Sequence, residues 1–191
     1  MLVGRRRELS VLAACLARNE PVAITGAAGV GKTTLLRAAA SRSGRPVHEG
    51  RGLATLSWTS YLPLTMALGH SPPAGDHAAT AAWVVERVDG GVLLHDDVQW
   101  ADPETLAVLP LLAGRLGLLL ALRLGDVATE RARAAVVDAG GRLVELERLT
   151  DEEAEALLRL RRPGLSKHGS AAVLTRAEGN ALLPACSDGG S

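Results

Sequence analysis

One glycine-rich segment constrains the fold of this chain more than any other feature of its sequence. Residues 26–33 have the sequence GAAGVGKT, a complete match to the pattern G-x-x-x-x-G-K-[ST]. A loop of this kind connects a short buried strand to the N-terminus of a helix. The apolar stretch PVAIT over residues 21–25 predicts the strand, and the Ala- and Leu-rich stretch from residue 32 to about residue 40 predicts the helix. The segment therefore predicts an α/β fold with a phosphate-binding loop.

The residues of this loop suit a nucleoside triphosphate bound together with Mg²⁺. Glycines let successive backbone N–H groups turn inward as an anion nest, and the following helix N-terminus adds partial positive charge. The side chain of Lys32 is expected to reach the β- and γ-phosphates, and the hydroxyl of Thr33 is expected to ligate the metal. The other loop residues expected to contact the nucleotide are Gly26, Gly29, Val30, Gly31 and Thr34. ATP is the expected nucleotide, with GTP as the alternative.

Two consecutive aspartates follow the apolar segment VLLH over residues 92–95, which predicts a buried strand. A carboxylate that meets the Mg²⁺ ion is expected at the carboxyl end of a strand next to the loop strand, and Asp96 fits that position. Asp97 is then expected to position or deprotonate the attacking water. The alternative for both is a polar turn. His95 lies next to two aspartates, which would suit a metal site, but neighbouring strand residues point to opposite faces. His95 is therefore expected to be a hydrogen-bonded core residue.

A basic residue ends another apolar segment. Arg123 directly follows GLLLAL over residues 117–122, which predicts a further buried strand. Arg123 then lies at the same edge of the predicted sheet as the phosphates. It is expected to sense the γ-phosphate and to stabilise charge in the transition state. An exposed arginine with no part in the site is the alternative, and the residues alone do not distinguish the two.

The rest of the chain alternates predicted helices and strands, and most strands are apolar throughout, which predicts a parallel sheet covered on both faces. One helix is expected to begin with Asp102 as its N-cap and Pro103 as its first residue, and Pro110 should kink it. A second helix is expected to begin at Thr150, which opens a capping box with Leu149 as its hydrophobic staple. The further predicted elements are a helix over 5–18, a strand over 47–49, an irregular segment with a short helix over 50–77, a helix over 78–88, a strand over 142–146 and a helix over about 170–177.

Charge and apolar content argue against several classes of function. The 21 basic and 21 acidic residues give a formal net charge of zero, which disfavours a surface built to hold nucleic acid or anionic lipid. Arginines interrupt the most apolar segment before it reaches the length of a membrane span. The cysteines, Cys15 and Cys186, fit no metal or redox spacing and are expected to be reduced. A cytoplasmic protein without membrane contact is therefore expected.

Several segments together resemble one family. They are LVGR with EL over residues 2–9, GAAGVGKTTLL, LLHDDVQWADPETL, LLLALRLGD, LVELERLTDEEAEALL and LTRAEGNALL. This set resembles the ATPase domain of the large ATP-binding LuxR-type transcription regulators, which belong to the STAND branch of the AAA-like P-loop NTPases. The resemblance runs from Leu2 to about Leu183. Three residues depart from the family pattern: Ala181 stands where proline is usual, His95 where an aliphatic residue is usual, and Leu122 where tyrosine is usual.

The resemblance implies a three-layer P-loop NTPase fold with a five-stranded parallel sheet in the order 5-1-4-3-2. It implies an NTPase core over residues 1–148 and a small helical lid over 149–184. The small and polar residues at the C-terminus predict a disordered tail over 185–191. Val3, Gly4 and Arg5 are expected near the adenine of ATP. The implied ligands are ATP or ADP with Mg²⁺, and the implied partner is a second copy of the chain or a regulatory protein.

Family members continue into a helical-repeat sensor region and a DNA-binding helix-turn-helix, whereas this sequence stops at Ser191. A domain truncated after the ATPase unit, which does not itself bind DNA, is therefore expected. Three functions stay open from the sequence. The first is a signalling ATPase that hydrolyses ATP slowly, and the second is a module that binds nucleotide without turnover. The third is another P-loop enzyme, such as a small-molecule kinase.

Overall fold

Five short strands form one parallel sheet in the part of the chain that the computed structural model describes, which is residues 3–123, 125 and 127–161. The strands are β1 (Val22–Thr25), β2 (Val47–Arg51), β3 (Val92–Asp96), β4 (Gly117–Leu122) and β5 (Arg142–Glu145). Their order is β2-β3-β4-β1-β5, and all neighbouring pairs are parallel. This is the order 5-1-4-3-2 seen from the opposite edge, so the predicted α/β fold and sheet are confirmed.

Helices cover both faces of the sheet and complete three layers. The described helices are α1 (Arg6–Ala17), α2 (Lys32–Arg42), α3 (Leu62–Leu68), α4 (His77–Val88), α5 (Pro103–Leu112), α6 (Val127–Asp138) and α7 (Asp151–Arg161), with 3₁₀ turns at Ala54–Leu56 and Val98–Trp100. Helices α1 and α2 pack on one face, and α3 to α6 pack on the other. No helix in the described ranges is both long and apolar enough to cross a membrane.

The central strand β4 shows why the strands have continuous apolar sequences. All of its residues are buried, because both faces of the sheet are covered. Leu118 and Leu120 join the core on the α4 and α5 side, whereas Leu119 and Ala121 join the core on the α1 and α2 side. The alternation of side chains along a strand therefore supplies two cores from one apolar run. This packing fixes the carboxyl ends of the strands at one edge, where the polar residues lie.

Two elements differ from the sequence prediction. Helix α6 occupies residues 127–138, where no helix was predicted. Its buried face consists of Thr129 and the small or β-branched residues Ala132, Ala135 and Val136, and charged residues lie between them, so its apolar periodicity is weak. Strand β2 extends to Arg51, two residues beyond the predicted end, because its pairing with β3 continues to the last residue of that strand. That extension brings an arginine to the polar edge of the sheet.

The segment after β5 confirms the predicted capping box. The backbone N–H of Thr150 donates to Glu153 Oε2 over 3.1 Å, and the backbone N–H of Glu153 donates to Thr150 Oγ1 over 3.3 Å. Leu149 packs with Ala154 and Leu157, as a hydrophobic staple requires. Helix α7 is the part of the predicted lid that the structure describes. Several sequence predictions concern residues outside the described part of the chain. They are the helix over 170–177, the segment LTRAEGNALL, Cys186 and the tail over 185–191.

Candidate nucleotide-binding site

The phosphate-binding loop has a backbone that needs its glycines. Gly29 and Gly31 have φ angles of 78° and 100°, in the left-handed region that disfavours side chains. At Gly26, where φ is 152°, a Cβ atom would lie 2.6 Å from the carbonyl oxygen of Leu146. The loop then passes directly into α2, whose first residue is Lys32. The glycines of the predicted motif therefore lie where backbone geometry and close packing require them.

The side chain of Lys32 is buried at the centre of the loop. Its Nζ atom donates to the carbonyl oxygens of Gly26 and Ala27, both at 2.8 Å. Burial lowers the pKa of Lys32 below its ordinary value, and the positive charge of Arg123 adds to this effect. The carboxylates of Asp97 and Asp96 act in the opposite direction. The ammonium group thus lies in a confined site where an additional anion would stabilise it.

Thr33 and Asp96 are brought together as the sequence predicts. The hydroxyl of Thr33 donates to Asp96 Oδ2 over 2.7 Å, and Asp96 Oδ1 accepts from the backbone N–H of Asp97 over 3.0 Å. The expectation that this strand lies next to the loop strand is wrong, because β4 lies between β1 and β3. The contact forms because Asp96 ends its strand and the first turn of α2 reaches across the edge of the sheet.

Asp97 lies at a strained backbone position and is held by three side chains. Its φ angle is 50°, which is uncommon for a residue other than glycine. Oδ1 accepts from Arg123 Nε and Gln99 Nε2, both at 3.0 Å, and Oδ2 accepts from Arg123 Nη2 at 3.4 Å and from Arg51 Nη2 at 3.5 Å. Burial opposes ionisation, but the hydrogen bonds from Arg123 and Gln99, together with the positive charges of Arg123 and Arg51, outweigh it and hold the pKa of Asp97 below its ordinary value.

These side chains surround one cavity at the carboxyl edge of the sheet. The cavity has a volume of about 220 Å³ and is lined by Ala28, Gly29, Gly31, Lys32, Thr33, Thr34, Arg51, Asp96, Asp97 and Arg123. Its three cationic and two anionic side chains leave an excess of one positive charge. Of the predicted loop residues, Gly26 and Val30 support the loop without lining this cavity. The excess positive charge, the loop and the following helix N-terminus together favour an anion.

The oxygen atoms in this cavity also fit Mg²⁺. The Thr33 hydroxyl and the Asp96 carboxylate are hard oxygen donors, and they already lie within hydrogen-bonding distance of each other. No group of three or more His, Cys, Asp or Glu residues in the described ranges forms a metal-binding cluster. This is compatible with Mg²⁺, which is commonly held by one or two protein oxygens together with phosphates and water.

The N-terminal segment expected near the adenine lies elsewhere than the phosphate cavity. The guanidinium of Arg5 donates to the carbonyl oxygen of Glu147 over 2.6 Å and to Glu8 Oε1 over 3.3 Å. Val3 packs against the cluster that joins the start of α7 to the residues before it. A Cβ atom on Gly4 would meet the side chain of Glu153. Val3, Gly4 and Arg5 therefore connect α1 to β5 and α7, and their role in binding the base stays a prediction.

His95 is buried as predicted, but it is not hydrogen-bonded. Only 1% of the residue is exposed, and within the described part of the chain neither ring nitrogen has a hydrogen-bond partner. Burial lowers the pKa of His95 to about 4, although the charges of Asp102 and Asp97 act in the opposite direction. The prediction of a satisfied core histidine is therefore wrong. The ring is neutral at physiological pH, and its polar atoms carry an unrecovered desolvation cost.

Sequence reasoning missed two polar side chains of the described site, Arg51 and Gln99. Gln99 follows the aspartate pair on a 3₁₀ turn, where its Oε1 accepts from the backbone N–H of Arg123 over 3.1 Å. Because Gln99 also donates to Asp97, it connects the end of β4 to that carboxylate. No sequence pattern pointed to Gln99. Arg51 could have been found, because it follows a predicted strand that the expected order places beside the aspartate strand.

Comparisons with known proteins agree on the fold. RuvB from Thermotoga maritima, a Holliday junction branch migration motor, has a TM-score of 0.62 at 16% identity, over 95% of this chain and 59% of RuvB. AMPPCP-bound DnaA from Aquifex aeolicus has a TM-score of 0.62 at 21% identity, over 98% of this chain and 63% of DnaA. A STAND protein from Pyrococcus horikoshii, with a tetratricopeptide repeat sensor, has a TM-score of 0.57 at 20% identity, over 100% of this chain and 31% of that protein.

The chain thus spans less than two thirds of the length of each of these three proteins. No family model and no curated protein sequence matches it. At these identities the likeness shows the fold alone. The chain has the P-loop NTPase fold, with the sheet order and phosphate-binding loop described above.

Proposed function

We propose that this chain binds Mg-ATP on the loop at residues 26–33 and hydrolyses it slowly, as the ATPase domain of a LuxR-type signalling regulator. The observation that carries the proposal is the convergence of Lys32, Thr33, Asp96 and Asp97 on one cavity of about 220 Å³. A glycine turn with no ligand would not require a buried ammonium, a threonine–aspartate contact and a second ionised carboxylate at the same edge. This arrangement is the one that phosphoryl transfer needs.

Each side chain has a distinct task in this proposal. Lys32 exchanges the loop carbonyls that it now contacts for phosphate oxygens. Thr33 and Asp96 hold Mg²⁺, which neutralises phosphate charge when it is bound. Asp97 is ionised and therefore able to orient a water molecule and to accept its proton. Arg123 stabilises negative charge on the terminal phosphate.

A binding module without turnover is the second candidate, and one observation favours it. Both oxygens of Asp97 are occupied, by Arg123 and Gln99 on one and by Arg51 and Arg123 on the other. A carboxylate held in this way is a weak base, because each hydrogen bond favours its ionised form. If the bonds persist when nucleotide binds, ATP would be held and not hydrolysed.

One experiment separates these candidates. ATP affinity is measured by calorimetry in the presence of Mg²⁺, and phosphate release is measured at steady state, for the wild type, Lys32→Ala and Asp97→Asn. The proposed function predicts tight binding by the wild type, loss of binding in Lys32→Ala, and retained binding with at least about hundredfold slower release in Asp97→Asn. Tight binding with no release by the wild type would select the binding module. Transfer of phosphate to an added small molecule would instead indicate a kinase.

The signalling part of the proposal concerns the nucleotide state of the domain. STAND-like switches change their self-association or partner contacts between the triphosphate and diphosphate states, so the size of the particle in solution should differ between the two. Light scattering of the wild type with Mg-ATP and with Mg-ADP, using Asp97→Asn to preserve the ATP, measures this difference. An identical mass in both states, with and without candidate regulatory proteins, would contradict the signalling role and leave ATP binding unaffected.

A further inference from the structure

Arg51 ends β2 at the mouth of the phosphate cavity. Its backbone is aligned with Asp96 in the parallel pairing of β2 and β3, and the pairing continues as the N–H of Gly52 donates to the carbonyl oxygen of Asp96 over 2.9 Å. The backbone of Arg51 is therefore fixed. Its side chain is 52% exposed and lines the cavity together with residues of the loop. A fixed backbone with a half-exposed guanidinium is suited to reach an anion that enters the cavity.

The present partner of this guanidinium holds it only loosely. Arg51 donates to Asp97 Oδ2 over 3.5 Å, and the same oxygen accepts from Arg123 over 3.4 Å. Both distances exceed those typical of a charge-assisted hydrogen bond. A terminal phosphate carries more charge than a carboxylate and offers three oxygens. Such a group in the cavity would attract the guanidinium more strongly than Asp97 does.

We propose that Arg51 is a second phosphate-reading residue, which contacts the terminal phosphate of a nucleoside triphosphate in competition with Asp97. This inference rests on the proposed function and adds to it. A diphosphate lacks the group that Arg51 would bind, so the residue makes the site select triphosphate over diphosphate. The same exchange withdraws a hydrogen bond from Asp97 only when there is a terminal phosphate to attack. Arg51 therefore couples recognition of the substrate to release of the base.

A matched control is an arginine that pairs with the same strand from a neighbouring helix. Arg37 of α2 pairs with Glu49 of β2, and neither residue lines the phosphate cavity. Arg37→Ala removes an arginine that contacts β2 and leaves the cavity intact. Any general effect of losing an arginine near this strand should therefore appear in Arg37→Ala as well as in Arg51→Ala.

The test is calorimetric binding of Mg-ADP and of a non-hydrolysable Mg-ATP analogue to the wild type, Arg51→Ala, Arg51→Lys and Arg37→Ala. Arg51→Ala should bind the analogue at least about tenfold more weakly and ADP within about twofold of the wild type. Arg51→Lys should recover part of the preference for the triphosphate analogue over ADP, and Arg37→Ala should keep all of that preference. Equal losses for both nucleotides, or none for either, in a wild-type protein that binds them would overturn this inference alone. No binding by the wild type would overturn it together with the proposed function.

The competition with Asp97 gives a second test, whose first step does not use Arg51→Ala. Asp97→Asn removes the charge that holds the guanidinium, so it should bind the triphosphate analogue several-fold more tightly and ADP unchanged. Adding Arg51→Ala to Asp97→Asn should abolish that gain. An analogue affinity that falls in Asp97→Asn would contradict competition between the carboxylate and the phosphate. A gain that survives in the double variant would assign that competition to Arg123, which also contacts Asp97, and would overturn the role of Arg51.

Discussion

The hydroxyl of Thr33 donates a hydrogen bond of 2.7 Å to the Asp96 carboxylate, 63 positions further along the chain, and so joins the start of α2 to the end of β3. The contact places two hard oxygens side by side at the edge of the cavity. Such a pair would supply two of the oxygen ligands that Mg²⁺ needs, and phosphate oxygens and water would supply the others. Loss of either oxygen should therefore weaken metal binding more than it weakens the fold.

We expect Thr33→Ala to lower Mg²⁺-dependent ATP affinity by about tenfold to a hundredfold, because the variant removes one of these oxygens. Thr33→Ser keeps the hydroxyl and should stay close to the wild type. Titration of Mg²⁺ at fixed ATP, followed by calorimetry, measures the effect. If Thr33→Ala shows the Mg²⁺ dependence of the wild type, the hydroxyl is not part of the metal site.

Asp102 is the N-cap of α5 and also accepts a hydrogen bond from the segment before α3. It is 1% exposed, and it accepts from the backbone N–H groups of Thr105 and Tyr61, both at 2.9 Å, and from the Thr105 hydroxyl at 2.7 Å. Asp102→Ala leaves these buried donors without a partner. We expect it to lower the free energy of unfolding by about 3 kcal/mol.

Asp76 provides the matched control for this prediction. It caps α4 through one bond from the backbone N–H of Ala79, and it is exposed. Asp76→Ala should cost about 1 kcal/mol, as an ordinary exposed cap does. Urea unfolding of both variants gives the comparison. Equal costs would show that the bonds from Tyr61 and the Thr105 hydroxyl add nothing to the cap.

The sequence determines the sheet well because the relevant signals are local. The apolar run before the loop and the run that ends at Asp96 each predict a strand without reference to the rest of the chain, and the resemblance then orders them correctly. The capping box at Thr150 is equally local, since both of its hydrogen bonds connect residues three positions apart. These features could be predicted because each depends on neighbours in sequence.

The missed features depend on packing between distant segments. Arg51 belongs to a strand whose last residues are polar, so only its pairing with β3 shows that the strand continues. Helix α6 buries mostly small residues, and a sequence window cannot distinguish such a face from a loop. Whether His95 finds a hydrogen-bond partner depends on the helices that cover it. The arrangement around Asp97 could not be predicted for the same reason, because its partners come from three different segments.

His95 should make the stability of the nucleotide-free protein fall with acid. Its pKa is lowered by burial from 6.5 to about 4, so between these values the unfolded chain binds a proton that the folded chain excludes. The folded state is therefore destabilised as the pH falls through this window, by up to about 3 kcal/mol near pH 4. Above pH 6.5 the ring is neutral in both states and this effect is absent.

His95→Leu tests the same point with a side chain that suits an apolar core. It removes two ring nitrogens that have no partner in the described structure, so we expect a gain of about 1–3 kcal/mol at pH 7 and loss of the slope between pH 6.5 and 4. The exposed His70, changed to Leu, is the control and should leave both properties as in the wild type. Urea unfolding in the presence of a chelator measures the stability at pH 7 and its slope between pH 6.5 and 4. Destabilisation of His95→Leu at pH 7 would show that the imidazole has a favourable partner.

Gly52 keeps the end of β2 in contact with the segment that follows Asp97. A Cβ atom at this position would lie 2.4 Å from the carbonyl oxygen of Asp97, 2.7 Å from the carbonyl carbon of Trp100 and 2.8 Å from the backbone nitrogen of Ala101. All three are backbone atoms of a buried turn, so they cannot move aside as a flexible side chain would. The methyl group of Gly52→Ala must therefore separate β2 from this turn.

We expect Gly52→Ala to lower the free energy of unfolding by about 2 kcal/mol, in the range of overpacking in a core. It should also change phosphate release, because the separation moves Arg51 away from Asp97. Gly75→Ala is the control, since its Cβ would meet only the Ala79 side chain, at 3.2 Å, and it should leave stability and turnover unchanged. Urea unfolding and steady-state phosphate release are measured at a temperature where both variants are folded. Wild-type stability in Gly52→Ala would show that the turn after β3 can retreat from β2 without cost, and the tight backbone contact would then have no part in positioning Asp97.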